Sequence, residues 1–326
     1  MKMLFVDHSA GVEPEALHMT ESDRPQFSAH EVLLKVHAFG VNRADTLQRQ
    51  GRYPEPPGES PILGLEVSGE IVACGADVSK WKVGDRVCGL VAGGGYAEYV
   101  ALDEHLAMAI PAGVSMTYAA GLPEVFLTAY QALFSIGQLQ RQQTVLIHAG
   151  ASGVGLAAIQ LARLFDCDVA VTASSQGKLS VCAQLGAHHL INYQEADFAQ
   201  VLKGHNWRAN VIVDFVGGDY LNRNLNVLAQ DGHIIYLAML AGRYADKLDM
   251  AKFLAKRANL HGSTLRNRDL CYKRELVRAF QATVGDAFAS ETLQVNVDSV
   301  LGVEQIGLAH QRLESNQTSG KIIVTW

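Results

Sequence analysis

The segment that most restricts how this chain can fold is Val145-Leu146-Ile147-His148-Ala149-Gly150-Ala151-Ser152-Gly153-Val154-Gly155-Leu156-Ala157-Ala158. An apolar strand former runs into a tight turn and straight on into a helix. Gly153, Gly155 and Ala158 fit the pattern G-x-G-x-x-G/A. In that pattern the first glycine permits the turn and the second lets a pyrophosphate approach the backbone. The small third residue lets helix and strand pack closely. The helix then presents unpaired N–H groups and the positive end of its dipole to the phosphates. Taken alone, the glycines fit equally a close-packed βα joint with no ligand; the surrounding chain decides between the two.

After Pro111 the sequence alternates helix and strand formers. A helical stretch over 115–137 leads to a strand over 144–149. Helices are expected over 154–165, 177–185 and 196–203, and strands over 168–173, 189–192, 210–215, 233–240 and 259–265. That rhythm describes βαβ units wound into a parallel sheet. It places the glycine turn in the setting of a dinucleotide site. The first third reads differently. Short strand-like runs (32–36; 66–74, with Gly69 as a bulge; 85–90; 96–101) are separated by Pro54-Glu55-Pro56-Pro57-Gly58 and Gly93-Gly94-Gly95. Frequent turns and few helices suggest a partly open β-barrel. The last sixty residues, with a helix over 273–284 and a strand over 321–326, break the alternation and are expected to return to the first domain. The expected division is 1–122 with 266–326, and 123–265.

The end of the second strand bears on which dinucleotide binds. An NAD site places Asp or Glu there, about 20 residues after the glycines, to accept from the ribose hydroxyls. Here the chain reads Val171-Thr172-Ala173-Ser174-Ser175-Gln176-Gly177-Lys178, with no acid. Ser174, Ser175 and Lys178 suit a 2′-phosphate. One net charged hydrogen bond would favour NADPH over NADH by roughly tenfold to a hundredfold. The alternative makes the serines helix caps and Lys178 a solvated lysine.

Composition excludes several classes. With 326 residues, 48% of them apolar and 18% charged, the chain has the make-up of a two-domain globular protein. A net charge of −6 argues against general affinity for nucleic acid or anionic membrane. The opening Met1-Lys2-Met3-Leu4-Phe5-Val6-Asp7-His8 reads as a strand and not as a signal peptide, and no run is apolar enough to span a bilayer. The five scattered cysteines point to reduced thiols and a cytoplasmic location.

Further stretches carry a family likeness: Val41-Asn42-Arg43-Ala44-Asp45, Gln48-Arg49-Gln50-Gly51-Arg52-Tyr53, Pro123-Glu124-Val125-Phe126-Leu127-Thr128-Ala129, the turn from His148 to Gly155, and Gly320-Lys321-Ile322. In these the chain resembles the zinc-free quinone oxidoreductase branch of the medium-chain dehydrogenase/reductase superfamily. Within it, the likeness is strongest to the tumour-suppressor-inducible NADPH quinone oxidoreductases. The resemblance implies a GroES-like barrel, a Rossmann domain, NADPH in a cleft between them, and a homodimer. It implies cofactor positions at Asn42, Thr128, Ser152, Gly153, Val154, Ser174, Lys178, Tyr193 and Lys321. Val216-Gly217, the stretch from Leu237 to Ala241 with Ala238 and Met239, and Ser263-Thr264-Leu265 fall where the family lines the nicotinamide half. Tyr193 is either beside the adenosine phosphate or an ordinary strand-end tyrosine. The chain departs from the family at Ser152, where many relatives have glycine, and in its glycine-poor 237–241 stretch.

Alcohol dehydrogenases of that superfamily ligate catalytic zinc with a cysteine and the histidine of a G-H-E run. Here Asn42 and Leu65 hold those positions, and the cysteines of a structural zinc lobe are missing, so no metal is expected. Quinones and α,β-unsaturated carbonyls accept a hydride without a Lewis acid. The expected function is NADPH-dependent reduction of a small-molecule quinone. Asn42 would orient the carboxamide or the acceptor oxygen, and Tyr53 is either the proton donor or an aromatic wall of the pocket. Arg43 and Asp45 are expected to form a structural pair. Two other functions stay open: reduction of an enone or alkenal on the same scaffold, and an NADPH-binding structural or nucleic-acid-binding role.

Overall fold

The computed structural model describes all 326 residues. The chain divides into two compact units, Met1–Leu127 with Leu265–Trp326, and Thr128–Thr264. The α/β class, with one barrel-like strand domain and one doubly wound domain, is the one expected from the sequence.

The second unit is built on a six-stranded parallel sheet. Its spatial order is His189–Asn192, Asp168–Ala173, Thr144–Ile147, Ala209–Asp214, Leu228–Tyr236, Asn259–Gly262. The direction of winding reverses between Thr144–Ile147 and Ala209–Asp214. Ligands of such sheets bind outside the carboxyl ends of the strands at that switch. Val145, Leu146, Ile147, Val211, Ile212 and Val213 are all buried, as expected for strands covered by helices on both faces. The helix Gly153–Leu164 buries every residue from Gly155 to Ala162; Ala157 and Ala158 keep its axis close to the sheet.

In the first unit, Glu31–Val41 is the organising strand. It pairs antiparallel with Glu66–Cys74, Tyr99–Asp103 and the last strand, Lys321–Thr325. Arg86–Leu90 and Ala107–Ala109 continue the sheet on one side, and Val297–Gly302 on the other. A separate hairpin joins Lys2–Asp7 to His18–Asp23.

Several expected boundaries move. The stretch over 115–137 is not one helix. Met116–Ala119 stops before Pro123, which lacks the N–H a continuing helix needs and starts Pro123–Tyr130 instead. The last turn, Gln131–Ile136, widens to a π-helix, and Gly137 N reaches back to Ala132 O. The strand expected over 233–240 is Leu228–Tyr236, so residues 237–241 form a loop. Gly69 is not a bulge residue. The pairing shifts register twice, between Leu33 and Leu34 and between Val36 and Ala38, and a Cβ on Gly69 would stand 2.1 Å from Lys35 O.

Candidate active site

In the second unit the glycine turn sits at the switch in the sheet. Ser152 caps the helix Gly153–Leu164, its Oγ accepting from Gly155 N at 3.1 Å. Gly153 and Val154 carry first-turn N–H groups, which have no acceptor within the helix and face the switch. The glycine roles differ from the sequence reading. The left-handed residue of the turn is Ala149, at φ 49°, and not Gly153. A Cβ on Gly155 would meet Gly150 O at 2.5 Å and Ala149 O at 2.6 Å, so this glycine serves the packing of helix on turn.

Ser174 and Ser175 follow the adjacent strand, and Ser175 caps the helix Gln176–Gln184, which carries Lys178 in its first turn. Tyr193 N donates to Ala173 O at 3.2 Å, so Tyr193 lies beside Ser174 with its side chain 43% exposed. Ser174 and Tyr193 thus lie at two adjacent strand ends, with Ser175 and Lys178 following at the start of the next helix. On the other side of the switch, Leu237 N donates to Asp214 O, Leu240 N to Phe215 O and Ala241 N to Val216 O. These bonds lay Ala238 and Met239 along Val216 and Gly217. Ser263 N donates to Tyr236 O at 3.0 Å, which brings Ser263 and Thr264 to the next strand end. Thr128 is partly exposed on the helix Pro123–Tyr130.

Under this surface runs a buried chain that sequence reasoning missed. The Asp214 carboxylate accepts from Val216 N at 2.6 Å, Gly217 N at 3.0 Å and Asn224 Nδ2 at 2.6 Å. Asn224 Oδ1 accepts from His148 Nε2 at 2.8 Å, which leaves His148 Nδ1 to accept from Thr172 Oγ1 at 2.9 Å. Burial pushes the His148 pKa down, with Asp214 pulling the other way; the neutral Nε2–H ring fits both bonds. The chain ties three strand ends together, and with them the glycine turn and the Val216–Gly217 turn.

In the first unit a closed ion-pair ring forms around Glu66, which is fully buried at the start of its strand. Glu66 Oε1 lies 2.5 Å from Lys321 Nζ and accepts from Asn42 Nδ2 at 3.0 Å; Oε2 accepts from Glu124 N at 2.9 Å. Lys321 Nζ also donates to Asn42 Oδ1 at 2.7 Å and Val41 O at 3.0 Å. Both expected site residues here, Asn42 and Lys321, are therefore held by a third residue, Glu66. Gly40 makes room for it, since a Cβ there would stand 2.2 Å from Glu66 Oε1.

Asn42 opens the helix Arg43–Arg49, and its N–H donates to Asp45 Oδ2 at 2.7 Å. The expected Arg43–Asp45 pair is not formed. Arg43 Nη2 instead donates to Leu313 O and Asn316 Oδ1, while Asp45 turns inward to accept from Tyr96 OH at 3.1 Å. Side chains on one face of a helix recur every three or four residues, so neighbours two apart diverge. Beyond Tyr96 lie His310 (3.0 Å) and Arg49, which donates to His310 Nδ1 and pairs with Glu314. Burial and the Arg49 charge push His310 down to about 3, whereas burial pushes Asp45 up to about 6. The Tyr53 phenol is half-buried; burial raises its pKa first, then Glu124, while Arg266 lowers it. Leu265, expected on the nicotinamide side, is buried and belongs to the first unit. Nowhere do three His, Cys, Asp or Glu side chains converge as metal ligands.

The geometry agrees with what the chain is similar to. The alcohol dehydrogenase GroES-like domain matches residues 28–112, and the zinc-binding dehydrogenase family matches residues 153–282. A quinone oxidoreductase of Lama guanicoe is 30% identical over 99% of this chain and 97% of its own length. The synaptic vesicle membrane protein VAT-1 homolog of Danio rerio is 31% identical over 93% of this chain, which spans only 65% of that relative's length. Among solved structures, a mycobacterial protein complexed with NADPH superposes with a TM-score of 0.87 at 29% identity, over 99% of this chain and 100% of that one. The CurK enoyl reductase does so with a TM-score of 0.87 at 25% identity, over 99% of each chain. No helix is long and apolar enough to cross a membrane. A sheet that reverses at a glycine turn, the matched dehydrogenase domains and the end-to-end likeness together make the chain a member of the quinone oxidoreductases of the medium-chain dehydrogenase/reductase superfamily, an oxidoreductase that uses a nicotinamide dinucleotide.

Proposed function

We propose that the protein is an NADPH-dependent quinone reductase. The observation that carries the cofactor choice is the acid-free end of the second strand, where Ser174, Ser175, Lys178 and Tyr193 are neighbours. When bound, the cofactor supplies a hydride. The chain's own residues do the rest: Gly153 and Val154 offer their backbone N–H groups to the pyrophosphate, while Ser152 and Gly155 fix the turn that presents them. Val216, Gly217, Ala238, Met239, Ser263 and Thr264 line the nicotinamide half, and Thr128 contributes its hydroxyl. Asn42 orients the carboxamide or the acceptor oxygen. Lys321 acts through Asn42, because its ammonium is enclosed by Glu66, Asn42 and Val41. Tyr53 is the candidate proton donor, and holding acceptor and donor groups in place supplies most of the acceleration.

Reduction of an enone is the second reading, favoured by the likeness to an enoyl reductase. A panel of ortho-quinones, para-quinones and an enone aldehyde, each run with NADPH and NADH, separates them. The first reading expects quinones to lead in kcat/KM; a dominant enone would replace it by the second. Tyr53→Phe should lower kcat/KM on quinones about a hundredfold, and full retention would remove the donor role. The proposal includes a homodimer in the cytoplasm. The open edge strand Asn259–Gly262 supports the dimer, and sedimentation would test it.

A further inference from the structure

Two buried cations in the first unit stand outside every ion pair. Arg266 is 5% exposed and Lys273 7%, yet no carboxylate lies at ion-pair distance from either. Arg266 Nε donates to Ala92 O at 2.7 Å and Nη1 to Tyr53 O at 3.4 Å. Nη2 is buried with no partner at all. Lys273 Nζ donates to Arg266 O at 2.6 Å, so the second cation backs the first through the main chain. The acids whose fields reach this group are Asp45, on the Arg266 side, and Glu59, Glu124 and Asp269, on the Lys273 side. A buried guanidinium with a donor left unbonded is costly, and such a group marks a place where a ligand can complete it.

The neighbourhood says what that ligand is. The guanidinium carbon lies 5.6 Å from the centre of the Tyr53 ring. That ring is half-buried, so an aromatic face and a guanidinium lie side by side there. Arginine presents its donors in one rigid plane suited to an anionic oxygen. We propose that Arg266 is an anion-recognition residue whose Nη2 takes the acceptor oxygen as it becomes a phenolate or enolate. The proposal rests on reading the Tyr53 side of the first unit as the acceptor site. When a hydride forms the new bond at the acceptor, the carbonyl π pair moves onto oxygen. That oxygen stays anionic until a proton arrives from solvent or a phenol. A donor already in place at that oxygen stabilises the charge as it develops.

The test uses para-nitrophenol, whose phenolate is read directly by visible absorbance, on the full-length protein without cofactor. Arg266 should hold the phenolate in preference to the phenol. The ionisation midpoint of the bound probe should then fall by about one pH unit, a tenfold preference. Arg266→Gln should abolish that shift, keep Tm within a few degrees, and lower kcat/KM for quinones about a hundredfold. Arg266→Lys, which keeps the charge if the glutamine variant fails to fold, should retain part of the shift. Bound probe with no shift, or an equal shift in Arg266→Gln, overturns the proposal and leaves Arg266 a clamp between the Tyr53 and Ala92 loops. NADPH-dependent quinone turnover by the unaltered protein is measured alongside. Turnover without the shift sinks this inference alone, and the shift without turnover sinks only the quinone-reductase reading.

Discussion

In the second unit the buried Asp214 carboxylate accepts three N–H groups, and the chain continues through Asn224 and His148 to Thr172 without a loose end. The first unit pairs Glu66 with Lys321 as completely. Each unit also leaves buried polar atoms without partners: Asp45 Oδ1, Gln48 Oε1 and Arg266 Nη2 in the first, Tyr236 OH and Ser263 Oγ in the second. Satisfied networks make a rigid platform, and unsatisfied ones mark where a ligand or a proton is expected. In the proposed function the second unit holds the cofactor beside the Asp214-braced Val216–Gly217 turn, and the first unit meets the acceptor at Arg266.

The largest effect should come from opening the closed part of the first unit. Glu66→Gln leaves the Lys321 ammonium buried without its counter-charge, and urea unfolding should show a loss of about 3–5 kcal/mol. An unchanged midpoint would mean that the ring is not a stabilising unit. Next in size is a pH effect with two opposed parts. His310, held near 3, adds stability that is complete above its unfolded value and is lost as pH falls towards 3. Asp45, held near 6, adds stability that is complete below its unfolded value and is lost as pH rises through 6. In thermal melts between pH 7 and pH 3, His310→Gln should flatten the acid loss by a few kcal/mol. Asp45→Asn should steepen it. Identical pH slopes in all three proteins would contradict the assignment.

A smaller loss is expected from the second unit. Asn224→Leu strands Asp214 Oδ2 and His148 Nε2, which should cost about 2 kcal/mol and weaken cofactor affinity severalfold by loosening the Val216–Gly217 turn. Fluorescence titration with NADPH checks the second part. If stability falls while affinity is untouched, the chain of bonds supports the sheet without positioning the turn.

The second unit was the more legible of the two because its site is local in sequence. A strand, a glycine turn and a helix lie within fourteen residues, and the pattern states both its geometry and its ligand class. Ser174, Ser175, Lys178 and Tyr193 could be placed because parallel strands bring their ends to one edge. The first unit's groups meet across long separations: Asn42 and Lys321 are 279 residues apart, Tyr96 and His310 214. No spacing rule reaches that far. Two signals were present all the same. Glu66 follows the apolar Leu63-Gly64-Leu65 at the head of its strand, and Gly40 interrupts another where only a missing Cβ leaves room for that carboxylate. The Arg43–Asp45 pair was misjudged by treating closeness in sequence as closeness on a helix face. Arg266 gave no signal, since an arginine among arginines after a strand reads as surface.

The central claim is that the acid-free strand end selects NADPH. It is tested most directly by measuring kcat/KM for NADPH and NADH with one good quinone, in the unaltered protein and in Lys178→Ala. The account predicts a preference for NADPH of roughly tenfold to a hundredfold that shrinks in the variant through a loss confined to NADPH. Equal losses for both cofactors, or a preference for NADH in the unaltered protein, would contradict it.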